Sequence, residues 1–137
     1  MVNTRLSVAI HVLTLLALRH PEPATSEFIA GSVNTNPVVI RRILARLREA
    51  GLVASRPGVK GGWNLARDPE GITLADIYRA VRSGDLLAVH PSPNPQCPVG
   101  RSIQGILGAY YRRAERVLEA ELERATVTDL LREATKV

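Results

Sequence analysis

Apolar residues recur at three- and four-residue steps along most of this chain, and the interruptions fall at prolines, glycines and short polar runs. Residues 6–18, LSVAIHVLTLLAL, are almost wholly apolar. Thr4, Ser7, His11 and Thr14 form one narrow polar stripe, the mark of a helix buried on its other sides. His11 on that stripe reads as a helix-surface histidine. HPEPA is a turn, and Thr25 or Ser26 can cap a second helix through about Val33, with Phe28 and Ile29 facing inward. Asn34-Thr35-Asn36-Pro37 breaks the chain and restarts it, since Asn36 suits an N-cap and Pro37 the first helical position. Ile40, Ile43, Leu44 and Leu47 then make a buried stripe that Gly51 stops, while Val38, Arg41, Arg42 and Ala45 share the opposite, exposed face. Two short helices joined by a tight turn, the second opening with exposed cations, form a helix-turn-helix pattern.

The period then changes. LVASR (52–56) and GWNLAR (62–67) read as short strands separated by PGVKG, hence a β-hairpin. Its glycines allow a tight tip and a close approach to a surface, Arg56 and Lys60 supply charge, and Trp63 anchors the base. Thr73-x-x-Asp76 has the form of a capping box, opening a helix with Leu74, Ile77, Tyr78 and Val81 on one face and Ser83-Gly84 at its end. Four prolines in HPSPNPQCPVG (90–100) favour an extended linker. A long helix follows from about Arg101, with Ile103, Ile106, Leu107, Tyr110, Ala114, Val117, Leu118 and Leu122 at helical spacing. On its outer face Arg112/Glu115 and Arg116/Glu119 stand at pairing distance. The same helix from a second copy is the expected cover for that stripe, giving a two-fold dimer; the alternative is that the helix folds back on its own domain. TVTDLLREAT (126–135) forms a last short helix. The expectation is a mainly α protein with a small β-hairpin wing: a winged helix-turn-helix at 1–83, a linker at 84–100, and a dimerisation helix with a C-terminal helix at 101–137.

Composition sharpens this picture. At 137 residues, 45% of them hydrophobic and 23% charged, the chain suits one globular domain, and its net charge is +5. Residues 1–83 hold 11 Lys/Arg against 6 Asp/Glu, whereas residues 84–137 hold 7 of each. Arg41, Arg42, Arg46, Arg48, Arg56 and Lys60 stand against Glu49 alone within 41–60; such a focus suggests a docking surface for an anion, the alternative being a solvated helix face. The apolar run at 6–18 is too short to span a membrane and lacks a cleavage pattern, and a single cysteine suits a reducing compartment; a cytoplasmic location is expected. No phosphate-cradle motif is present, and no nucleophile–base or paired-carboxylate arrangement stands out. His11, His20 and His90 make no metal motif, so neither an enzyme nor a metal site is expected.

The run NPVVIRRILARLREAGLVASRPGVKGGWNLARDPEGITLADIYRAV, with NPQCPVG before a long helix, resembles the IscR/NsrR/CymR-type winged-helix regulators, the Rrf-two family. The likeness spans nearly the whole chain and is carried by the order and spacing of its motifs. It implies sequence-specific binding to double-stranded DNA as a homodimer, usually to repress transcription. By position, Thr35, Asn36, Val38, Arg41 and Arg42 would read bases, with Arg56, Val59 and Lys60 on the wing. Cluster-sensing members carry three cysteines in the linker region, whereas this chain has only Cys97, so no iron–sulfur cluster or other cofactor is expected. Cys97 itself reads either as a redox-reactive thiol near a helix N-terminus or as a small buried side chain packing the linker. Two other uses of the same fold stay open: a module docking an acidic protein partner, and a small-molecule-gated regulator of another winged-helix family.

Overall fold

The computed structural model describes residues 4–136; residues 1–3 and 137, at the ends of the expected first and last segments, lie outside it. Six helices and one hairpin follow in the order α1 (Arg5–Arg19), α2 (Ser26–Val33), α3 (Pro37–Glu49), β1 (Val53–Arg56), β2 (Gly62–Leu65), a 3₁₀ turn (Pro69–Gly71), α4 (Leu74–Val81), α5 (Pro98–Leu122) and α6 (Val127–Ala134). The protein is a mainly α winged helix with one antiparallel hairpin. No helix among the described residues is long and apolar enough to cross a membrane.

Local signals set the element boundaries. Thr25 Oγ1 accepts from the Phe28 N–H at 3.1 Å, and Asn36 Oδ1 accepts from the Val38 N–H at 2.8 Å, so α2 and α3 each begin on a capped turn. Between them Asn34 takes the left-handed conformation at φ 63°, which an asparagine tolerates better than most residues. Reciprocal capping boxes start α4 at Thr73/Asp76 and α6 at Thr126/Asp129.

These elements close over one core. Val12, Leu13 and Leu16 of α1, Ile29 of α2, Ile40, Leu44 and Leu47 of α3, and Ile77 of α4 are fully buried. Phe28 is not among them. It stands 45% exposed with the Arg19 guanidinium 4.2 Å from its ring centroid, because Ser26, Ile29 and Ala30 take the inward face of this short helix. The hairpin pairs Val53 with Leu65 and Arg56 with Gly62. Ala24, ahead of α2, exchanges backbone hydrogen bonds with Trp63, whose ring packs on the core.

The C-terminal third departs from expectation in three ways. First, α5 begins at Pro98, three residues before Arg101, with Pro98 at its first position. The linker end is compact, not extended: Asn94 accepts the Gln96 N–H with its side chain and the Cys97 N–H with its carbonyl, and Gly100 leaves room for that same carbonyl. Second, neither the Arg112/Glu115 nor the Arg116/Glu119 pair forms among the described residues. Glu115 and Glu119 turn toward α4 instead, where Arg82 Nη1 lies 3.9 and 3.7 Å from them and Arg79 Nε lies 3.6 Å from Glu119. Third, α6 packs against α1, Val127 is fully buried in the core, and Thr73 and Thr126 form a bridge. The final helix therefore completes the winged-helix core.

Candidate nucleic-acid interface

Because α3 must bury Ile40, Ile43, Leu44 and Leu47, its remaining positions are held outward by the helical period. Val38 is 44% exposed, Arg41 and Arg42 are exposed, and Thr35 at the turn is half-buried. Asn36 is exposed, with its side-chain oxygen committed to the cap, so its amide NH₂ is the group left to meet a base edge. On the hairpin, Arg56 and Lys60 are exposed and Val59 at the tip is bare. The tip is a tight turn closed by the Gly61 N–H on the Gly58 carbonyl at 3.0 Å, and a Cβ at Gly61 would run into the Arg56 carbonyl.

Three of the six cations counted in the sequence focus have a partner in the protein: Arg41, Arg46 and Arg48. Arg46 Nη1 lies 3.5 Å from the Val81 and Arg82 carbonyls at the end of α4, satisfying a helix C-terminus. Arg48 stands 5.7 Å from the Trp63 ring centroid and braces the wing against α3. The charge exposed on α3 and the hairpin is carried by Arg41, Arg42, Arg48, Arg56 and Lys60, with Arg48 lying beside Trp63.

Two further residues belong to this surface and have no local sequence signal. Arg5 at the start of α1 lines a shallow cavity with Thr4, Val39, Arg42 and Arg46, and it also donates to the Val81 carbonyl at 3.1 Å. Glu27, in the first turn of α2, meets Arg41 Nη2 at 2.9 Å with its Oε1. Its own backbone hydrogen bond and then the Arg41 guanidinium hold the Glu27 carboxyl below its usual range. No periodicity rule links residues 27 and 41, since the contact crosses the turn between two helices.

The α5 stripe divides in two. Ile103, Leu107, Leu118 and Leu122 are half-buried. Part of the helix is covered by its own linker, where the Leu86 N–H donates to Glu115 Oε1 and Gln104 Nε2 donates to the His90 carbonyl, both at 3.0 Å. Ile106, Tyr110 and Val117 stay 51%, 60% and 71% exposed, and Ala114 and Val99 are exposed with them. Cys97 is the N-cap residue of α5 and is exposed, which rules out the buried packing role within the protomer.

Comparison with known proteins agrees with this architecture. The model of the Rrf2 family, described as "Iron-dependent Transcriptional regulator", matches residues 2–133. YwnA of Bacillus subtilis, named as an HTH-type transcriptional regulator, is 46% identical over 132 residues, 96% of this chain and 97% of that protein. Among solved structures, T. potens IscR superposes with a TM-score of 0.73 at 26% identity, covering all of this chain and 92% of its own. CymR, titled the global cysteine regulator of B. subtilis, does so at 0.71 and 26% over 99% and 98%. The fold is thus shared along nearly the whole chain, and the chain belongs to the Rrf2 family of transcriptional regulators.

Proposed function

We propose that the protein is a sequence-specific repressor that binds an inverted-repeat operator as a homodimer. Each subunit presents residues 37–46 to a major groove and the 56–62 wing to the adjacent backbone or minor groove. Arg41 and Arg42 are the base-reading candidates because a guanidinium can meet guanine O6 and N7 with two donors; Lys60 suits a phosphate. The observation that carries this reading is the pairing, in one protomer, of an exposed cationic α3 and wing with an exposed apolar row on α5. Ile106, Tyr110 and Val117 are the centre of the proposed two-fold contact, since large apolar side chains in such a row call for a partner.

Iron does not fit the donors present. The chain has one thiol, and among the described residues no three His, Cys, Asp or Glu side chains gather into a metal site. We therefore assign no cluster and give Cys97 the redox-reactive role, which its exposure at a helix N-terminus supports.

Selection of bound fragments from genomic DNA, run with reduced and oxidised protein, tests the whole reading. A symmetric motif with half-sites about one or two helical turns apart is expected. Recovery of fragments with no shared sequence would overturn it.

A further inference from the structure

Of the five exposed cations on α3 and the wing, Arg41 is, among the described residues, the one in an ion pair. We propose that Glu27 sets the specificity of the DNA surface: by holding Arg41 in a neutral pair, it removes that cation from indiscriminate phosphate attraction and keeps it for base reading. This rests on the DNA-binding reading above and deepens it.

Three observations support the role. The contact is a direct charge-assisted hydrogen bond, Arg41 Nη2 to Glu27 Oε1 at 2.9 Å, between two helices whose relative placement is fixed by the core. The pair is solvent-facing, with side chains 53% and 66% exposed, so it contributes little to stability, and its position on the face that would meet DNA gives it another use. The contact also engages one of the guanidinium's nitrogens and anchors the side chain at the mouth of α3.

The physical consequence concerns counterions. The salt dependence of non-specific affinity grows with the number of cations that neutralise phosphates, each one steepening the slope of log affinity against log salt by about 0.9. A neutral Arg41–Glu27 pair is silent in that count, and a carboxylate beside the duplex also repels it. At a cognate site, the remaining guanidinium donors can meet a base edge without leaving Glu27. The difference between specific and random DNA grows because the random term is lowered.

The test uses the full-length protein and its Glu27→Gln variant, which keeps size and a hydrogen-bond acceptor but drops the charge. Binding is measured against a random-sequence duplex and against the tightest fragment from genomic selection, across a salt series. On random DNA the variant is expected to bind more tightly at low salt. Its slope should steepen by about 0.9 per protomer, about 1.8 for a dimer, adding roughly a tenfold loss between 50 and 200 mM salt. Its preference for the selected fragment should fall. The same change made in an Arg41→Gln background should leave the slope unaltered, because no cation is then released. Equal steepening in both backgrounds shows simple repulsion and overturns the positioning role. An unchanged slope in Glu27→Gln, with the parent still preferring the selected fragment, overturns the Glu27 role alone. Failure of the parent to prefer any fragment overturns both readings.

Discussion

Ala24 and Trp63 exchange both backbone hydrogen bonds, at 3.0 and 2.8 Å, so the base of the wing is stitched to the residue ahead of α2. Gly62 beside that bridge has φ +145°, and a Cβ there would sit 2.7 Å from the Ala24 carbonyl oxygen. The wing is thereby set relative to the helix-turn-helix through backbone as well as side chains. Gly62→Ala should cost about 1–3 kcal/mol, because it combines a strained backbone region with a clash that cannot relax at a flexible tip. Urea unfolding measures the loss; a midpoint equal to the parent's would show that the bridge yields freely.

Arg42 and Lys60 should fail differently. Arg42→Ala is expected to weaken binding to the selected operator and relax its sequence preference, by about 1–3 kcal/mol at the base it reads. Lys60→Ala should weaken all sequences alike and flatten the salt slope by about 1 per protomer. Competition binding against single-base operator variants separates the two patterns, and identical patterns would remove the division of labour between helix and wing.

Tyr110 and Val117 are exposed, so charge placed there should spare the fold and break the proposed two-fold contact. Tyr110→Glu with Val117→Glu is expected to give a monomer in analytical ultracentrifugation with an unchanged circular dichroism spectrum. Operator affinity should drop with it, since one protomer reads a single half-site. A variant that remains dimeric would move the interface elsewhere.

Arg79 joins α4 to α5 through Glu119 and Glu123 while also lying 3.5 Å from Asp76. These side chains are partly exposed, so Arg79→Ala should lower stability by only about 0.2–1 kcal/mol at low salt. That difference should shrink as salt is raised past the point where the screening length falls to a few ångströms. A loss undiminished by salt would mean that the aliphatic stem, not the charge, does the tethering.

Cys97 is exposed, so it should react with Ellman's reagent in the native protein at one thiol per chain. If it is the redox-reactive group, peroxide should change operator affinity in the parent and leave Cys97→Ser unaffected. Matching peroxide responses in the two proteins would eliminate Cys97 from regulation.

What the sequence determined by itself was local. The stripe of Ile40, Ile43, Leu44 and Leu47, the caps at Asn36 and Thr73, and the PGVKG hairpin tip follow from periodicity and from hydrogen bonds within a few residues. Such terms act between neighbours in the chain, and they hold whatever the rest of the molecule does. The exposed face carrying Arg41 and Arg42 was legible for the same reason, as the complement of a buried one. Only the tertiary structure decided which charges meet. Glu115 and Glu119 stand one helical turn from arginines of their own helix, yet they turn to Arg79 and Arg82, because the packing of α4 on α5 brings those guanidinium groups within reach. Arg41 finds Glu27 across a turn, Arg46 finds the end of α4, and α6 returns to α1. Surface ion pairs are weak and close in energy to their alternatives, so their choice waits on the placement that the buried apolar core imposes.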